Sequence, residues 1–586
     1  MCVKTMNMKT RFLIFSLIIT AIACSGPKDG EHVLHILTTN DVHSTWFDST
    51  YTGDGIKKSL FAMNYYIDSV RAANGAENVL LVDAGDCLQG DNAAYYYNYI
   101  DTVTPHLFPR LMGYMKYDAI AVGNHDIETG HHVYDRVTAD LEKYKAPFLA
   151  ANAIRNDNGR PYFPSYTVVK KAGLRIAILG YTNANIKAWL TESLWSGMHF
   201  VKIADIVQDD VDMVRAKVRP DLMVVTMHSG CGLGDGTILE NEALDIFNSV
   251  KGVDVLVNGH DHRPYTESRD TICLLNSGSH SRFVGHGIVT VNVDKGKVAS
   301  KKFETGLIAV DAAKADPVMR EYFRKDYEAV KAFTLKEVGV LNAELRTRDS
   351  YRGMCDYMNL IHTISLGCTP AEISFAAPLT YNGTVKAGIL RYNDLFTIYP
   401  FENQLFVVKM TGAQIRSYLE YSYDNWIQTI KGPQDHILNI RNTDDPRTQQ
   451  KGWSFIARPY NFDSAAGIIY DVDVTKPAGE RILIKSMADG SAFDEGRAYN
   501  VAMTSYRASG GGNLMREGAG IDTDHIDELV VERYPEIRNI IYDYLMKNGS
   551  IDPETIGDAS VIGRWKFIPE ALANKALDRD MSLLFK

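Results

Sequence analysis

Aspartate, asparagine and histidine recur in five short segments of this chain, each of a kind that holds divalent cations. They are Thr39-Asn40-Asp41-Val42-His43, Gly85-Asp86-Cys87, Gly123-Asn124-His125-Asp126, His228-Ser229-Gly230 and Gly259-His260-Asp261-His262. Carboxylate and amide oxygens with imidazole nitrogens suit borderline ions such as Zn²⁺ or Mn²⁺. An extended backbone through Asp41-x-His43 and His260-x-His262 would send both side chains of each pair to one side. Gly85, Gly123 and Gly259 permit tight turns where the chain must pass close to an ion or a phosphate. Any one segment alone reads as a turn or capping residue. Five in series, each after an apolar run or a glycine turn, point to a single centre.

The elements around them supply the frame. Short, apolar, β-branched runs at 33–37, 79–82, 119–122, 175–179, 222–226 and 253–257 read as buried strands separated by amphipathic helical stretches. Metal-type residues follow five of these six runs, the place where ligand sites gather in α/β folds. A chain of 586 residues is too long for one core. The α/β layered domain spans 32–310, and Asp316-Pro317 opens a helical connector, 311–337, that would serve as a hinge. A second, α+β domain spans 338–567, with a helix at 413–421 and strands at 405–409 and 468–474. The close, 568–586, reads as an amphipathic tail helix.

The five segments resemble the motif series of the calcineurin-like metallophosphoesterases, over the whole first domain. That resemblance implies a four-layer fold, with sheets sandwiched by helices, and two divalent ions. Asp41, His43, Asp86 and His262 would hold one. Asp86, Asn124, His228 and His260 would hold the other, with Asp86 bridging. Relatives often carry glutamine where this chain has His262. Paired cations lower the pKa of a bound water and stabilise an in-line transition state at phosphorus. The neutral Asn124 completes a shell without further negative charge. By the same resemblance His125 is catalytic, facing the phosphoryl group and oriented by a carboxylate three residues on. Here that residue is Glu128, on the same face as His125 if a helix starts there; Asp126 is its rival for the role.

In the second domain, Tyr399-Pro400-Phe401-Glu402-Asn403 and Tyr506-Arg507-Ala508-Ser509-Gly510-Gly511-Gly512 resemble two segments of the 5′-nucleotidase C-terminal domain. The resemblance implies that Phe401 and Tyr506 sandwich a nucleobase, an arrangement tolerant of any base. The run Arg458-Pro459-Tyr460-Asn461-Phe462-Asp463 is similar to the 2′,3′-cyclic-nucleotide phosphodiesterase/3′-nucleotidase branch and adds Asn461 and Phe462 to the substrate residues. Two features depart from 5′-nucleotidases. Ala376-Ala377-Pro378-Leu379 stands in an Asn/Gly/Arg segment, and Gly512 stands where a ribose-binding aspartate is usual. The implied activity is nucleotide hydrolysis, with the position on the ribose open. Nucleotide sugars, other phosphate esters and sulfur esters are alternative substrates for the same metals, and a surface lipoprotein that binds nucleotides without catalysis is the non-enzyme alternative.

A formal net charge of −10 argues against nucleic-acid polymers as partners through the bulk surface. At the start, Lys4, Lys9 and Arg11 precede an apolar run at 12–23 that ends in Ala21-Ile22-Ala23-Cys24. This resembles a lipoprotein leader over 1–24 with Cys24 as the lipidated residue. The chain is accordingly expected to be exported to the periplasm or cell envelope, touching membrane only through a lipid anchor. Cys87, Cys231, Cys273, Cys355 and Cys368 are odd in number and lack metal spacing, so they read as apolar fillers.

Overall fold

The computed structural model describes residues 26–432, 434–443 and 452–585. The leader and Cys24 lie outside the described residues. Two six-stranded sheets build the first half. In the first, Gly30–Thr39, Val79–Asp83, Ala119–Ala121 and Phe148–Leu149 run parallel in that order, and the long hairpin Phe283–Asp294 and Lys297–Ala309 adds antiparallel to Gly30–Thr39. In the second, Leu174–Tyr181, Leu222–Met227, Val255–Asn258 and Cys273–Ser277 are parallel, flanked by antiparallel Tyr166–Lys171 and Pro264–Ser268.

The sequence pattern explains the layering. Val79–Asp83 and Leu222–Met227 are buried at every position, so neither strand has a solvent face. Side chains alternate between two cores. Leu80, Val82, Val224 and Val257 meet in the core between the sheets. Val79 and Leu81 instead join helices Leu60–Asn74 and His131–Tyr144 on one outer side, and Met223 and Val225 join helix Ile203–Val218 on the other. The order is helix, sheet, sheet, helix. Trimming such a strand residue to alanine typically costs about 2–5 kcal/mol.

After the second sheet, Asp316 caps helix Pro317–Tyr322 by accepting from Val318 N at 2.8 Å, and Arg324–Thr334 follows. Met319, Phe323 and Val330 sit in the first half's outer core, and Arg110 pairs with Asp326 at 2.6 Å. These helices are packed against the first half rather than free.

The second half is built on a mixed five-stranded sheet in the order Ser464–Ala466, Ile373–Ala376, Ala498–Thr504, Gln404–Thr411, Val530–Glu536. Its helix Gly412–Trp426 starts at a capping box, in which Thr411 Oγ1 accepts from Gln414 N and Gln414 Oε1 from Thr411 N. The closing helix Glu570–Leu584 buries Ala573, Ala576 and Leu577 in the second half's core. Among the described residues no helix is long and apolar enough to cross a membrane.

Candidate metal centre and substrate cleft

The parallel strands of both sheets end at one edge of the sandwich, and the turns that follow carry the metal-type residues. Thr39 pairs with Asp83 at the end of the first sheet, and Thr226 Oγ1 donates to Asp83 O at 2.8 Å from the second. The turns are then stitched together by their backbones. Asp41 N donates to Gly85 O at 2.9 Å and His43 N to Asp86 O at 3.0 Å. His125 N donates to Asp86 Oδ1 at 2.8 Å, and His260 N reaches Asp41 Oδ2 at 2.9 Å.

This packing leaves no room for side chains at two glycines. A Cβ on Gly123 would lie 2.1 Å from Asp86 Oδ1, and one on Gly85, at φ +95°, would lie 2.7 Å from Gly123 N. Both glycines let one ligand turn approach another, rather than letting backbone approach a phosphate.

The expectation of an extended backbone in the Asp-x-His and His-x-His pairs is corrected. Asp41, His43, Asp86, His260 and His262 all have positive φ, between 44° and 84°. Each such turn costs roughly 1–2 kcal/mol for a non-glycine residue. Residues i and i+2 of each pair converge because the chain curls, not because it is straight. Strained backbone of this kind gathers at functional sites.

Two clusters result. Asp41, His43 and His262 place ligand atoms within 4.8 Å of one another, as do Asp86, His228 and His260. Asn124 Oδ1 lies 3.0 Å from His260 Nδ1, which brings the seventh side chain into the second cluster. The details fit cations well. His43 Nε2 and His262 Nε2 face each other at 2.9 Å, an approach that suits a shared positive centre better than two neutral rings. Fully buried His228 Nε2 is 3.0 Å from Asp86 Oδ2 but out of line for a hydrogen bond, so it has no hydrogen-bond partner. Its other nitrogen bonds Ala84 O at 2.7 Å, which fixes the ring as second partners do in metal sites.

The electrostatics match. Burial would lower the His228 pKa, but Asp86 and Asp41 push it up to about 9. Burial opposes ionisation of Asp86, yet His228, His125 and His43 hold it well below the usual carboxylate range. Asp86 touches the second cluster and feels His43 of the first. His43 itself is pushed well below 6.5 by burial and by His262, so it is a neutral imidazole with a lone pair to give.

His125 and Glu128 lie on the short helix Asn124–Glu128, and Nδ1 is 2.5 Å from Glu128 Oε2. Burial lowers the His125 pKa, but Asp86 and Glu128 carry it up to about 10. Asp126 faces the other way. Its carboxylate accepts from the backbone N–H groups of Asp86, Cys87, Leu88 and Gly123, so it shapes the Asp86 turn and does not orient His125.

Three residues around the clusters carry no motif. His280 stacks on His43 with ring centroids 5.1 Å apart. Trp189 stacks on His260 at 5.2 Å. Glu240 lies 3.7 Å from His260 Nε2. Their positions follow from loop packing, which leaves no spacing signal in the sequence.

The second half faces this centre. A cavity of ≈ 150 Å³ is lined by Glu128, Trp189 and Leu194 from the first half and by Glu402, Asn403 and Ser505 from the second. Phe401 and Tyr506 are both half-buried. Phe462 is a correction: it is fully buried, parallel to Trp426 at 5.7 Å and edge-on to Phe455. It is core, because the buried Asp463 next to it anchors the segment inward. Asn461 does not face the cleft alone either; its Oδ1 accepts from Arg507 Nη1 at 3.2 Å. A side chain at Gly512, φ +72°, would meet that same Oδ1 at 2.5 Å and Arg507 Nη1 at 2.6 Å, so an aspartate there would have to displace both.

Two family models match the chain: calcineurin-like phosphoesterase over residues 34–264, and 5′-nucleotidase, C-terminal domain, over residues 334–517. The trifunctional nucleotide phosphoesterase protein YfkN of Bacillus subtilis is 22% identical over 94% of this chain, which spans 40% of that protein's length. The 2′,3′-cyclic-nucleotide 2′-phosphodiesterase/3′-nucleotidase of Yersinia enterocolitica is 24% identical, over 88% of this chain and 86% of the relative. A crystal structure of a Staphylococcus aureus protein in complex with α-ketoglutarate shares the fold, with a TM-score of 0.75 at 20% identity over 91% of this chain and 99% of that one.

Proposed function

Because the chain belongs to the calcineurin-like phosphoesterases that carry a 5′-nucleotidase C-terminal domain, we propose that it hydrolyses nucleotide phosphate esters across the cleft between its halves. The observation that carries this reading is the link between the two sites. Glu240 sits 3.7 Å from His260 of the second cluster, and one cavity is lined by Glu128 and Trp189, which touch His125 and His260, and by Glu402 and Ser505, the chain neighbours of the rings Phe401 and Tyr506. A phosphate at the clusters and a base among those rings are therefore within one small molecule's reach.

In this reading Asp41, His43 and His262 hold one divalent ion, and Asn124, His228 and His260 the other, with Asp86 shared. The mixed nitrogen and oxygen donors suit Zn²⁺ or Mn²⁺. Such a pair supplies Lewis-acid charge to a phosphoryl group and makes a nucleophile available from water at neutral pH. The protein's own groups complete the site. His125, held by Glu128 and carrying a proton, donates to a phosphoryl or leaving-group oxygen as negative charge grows there. Phe401 and Tyr506 hold the base by stacking, which accepts purines and pyrimidines alike.

The apolar leader ending at Cys24 supports export with a lipid anchor, so that the substrates are nucleotides outside the cytoplasm. Cys24→Ala is expected to move the protein from the membrane fraction to the soluble one. Substrate class is tested by phosphate release from 2′,3′-cyclic AMP, 3′-AMP and 5′-AMP beside p-nitrophenyl phosphate, with Zn²⁺ or Mn²⁺ supplied. At least one nucleotide should exceed the aryl ester in kcat/KM. Better turnover of the aryl ester than of all three nucleotides would overturn the proposal.

A further inference from the structure

Phe401 and Tyr506 do not stand alone in the cleft. Tyr460 meets both, with ring centroids 6.2 Å from Phe401 and 6.4 Å from Tyr506, and it is nearly perpendicular to each, at 77° and 83°. All three rings are half-buried. The two rings assigned to the base thus each meet the same third ring edge-on.

The arrangement is rigid on its protein side. Tyr460 O accepts from Arg507 Nη2 at 2.9 Å. Arg507 is in turn clamped by Asp463, with Nε to Oδ2 at 3.0 Å and Nη2 to Oδ1 at 2.7 Å. Both partners of that pair are nearly inaccessible, at 4% and 3% side-chain exposure. Tyr506 rests one side of its ring on Gly511, where a Cβ would lie 2.4 Å from its Cζ. One face of the Tyr506 ring is thus occupied by the chain, and a ligand would stack on the other. The Tyr460 hydroxyl has no hydrogen-bond partner among the described residues.

We infer that Tyr460 is a third base-contacting residue: the end wall of the slot, meeting the edge of a nucleobase stacked between Phe401 and Tyr506. Stacking alone reads only that a ring is flat. An end wall with a phenol also limits how far the ring enters, and offers a donor and acceptor to its polar edge. Tyr460 is therefore a specificity-determining residue for nucleotides over simple phosphate esters. This rests on the nucleotide reading above.

The test compares Tyr460→Ala, Tyr460→Phe and Phe401→Ala with the parent protein, using the best of the three AMP isomers and p-nitrophenyl phosphate. Edge-on aromatic contacts of this kind correspond to about three- to tenfold in affinity. Tyr460→Ala should raise KM for the nucleotide by about that factor, leave its kcat within about twofold, and leave the aryl ester unchanged. Tyr460→Phe should fall between Tyr460→Ala and the parent. Unchanged nucleotide KM in Tyr460→Ala overturns the inference. Equal losses on nucleotide and aryl ester report damage to the fold, and a normally folded Tyr460→Phe protein then decides: a parent-like nucleotide KM overturns the inference. The failures separate cleanly. If Phe401→Ala raises nucleotide KM and Tyr460→Ala does not, only the end wall is lost; if neither does, the base slot itself is wrong.

Discussion

Replacing Asp126 with asparagine separates the scaffold of the shared ligand from the ligand itself. Asp126 is fully buried. Its Oδ1 accepts from Cys87 and Leu88 at 2.9 Å each, and its Oδ2 from Gly123 at 2.7 Å and Asp86 at 3.0 Å. Asparagine keeps one acceptor oxygen and converts the other into a donor, so two of those backbone N–H groups lose their partner. Each orphaned buried donor costs about 1–3 kcal/mol, or about 2–6 kcal/mol for the pair. Burial and the nearby Asp86 push Asp126 up to about 6, so removing its charge recovers part of that loss. With up to about 3 kcal/mol recovered, a net destabilisation of up to about 3 kcal/mol remains. All seven proposed ligands stay in place, but the turn that aims Asp86 is loosened. Calorimetric scans should show the first half melting several degrees lower, and titration should show cation affinity weakened about 10- to 100-fold with unchanged stoichiometry. Parent-like melting together with parent-like affinity would refute the claim that this carboxylate holds the Asp86 turn.

The second half should carry a pH signature. Burial pushes Glu402 up to about 8, with Arg538 opposing and Glu128 and Glu536 adding to the rise. The folded state thus holds a proton that the unfolded chain releases near 4.5, so the contribution is full below about 4.5 and is lost as pH rises through about 8. Melting should decline over that window, and Glu402→Gln should flatten the decline; an equally steep profile in the variant would exclude Glu402 as its source. Gly511→Ala should push Tyr506 out of place and raise nucleotide KM severalfold with kcat for p-nitrophenyl phosphate unchanged, as read by steady-state kinetics. His125→Ala should lower kcat by about 10²–10⁴-fold while cation binding, measured by titration, stays near the parent value.

Much of this was legible in the sequence, and the failures have physical causes. Most of the six strands declare themselves because they are apolar on both faces, as a strand between two packed layers must be, while Gly30–Thr39 alternates, with Val33 exposed and His35 half-buried. The clustering of Asp41, His43, Asp86, Asn124, His228, His260 and His262 is legible because ligand chemistry restricts residue type and the turns follow strands. Their left-handed backbone is not, since only glycine advertises positive φ and none of these is glycine. The His125 partner needed the helix start at Asn124, which puts Glu128 on the imidazole side and turns Asp126 towards the Asp86 loop. In the run 458–463, neighbouring aromatics gave no sign of which faces the cleft; the buried Arg507–Asp463 pair decides it, sending Phe462 into the core and leaving Tyr460 beside the slot. His280, Trp189 and Glu240 sit in loops whose packing is set by distant residues.

The central claim is that two cations share Asp86, and the most direct measurement counts them. After chelation and readdition of Zn²⁺ or Mn²⁺, titration with metal analysis should give two tightly held ions per chain in the parent. Asp86→Ala should hold fewer than one at the same free concentration. One ion in the parent, or two undiminished in Asp86→Ala, would contradict the shared-aspartate centre.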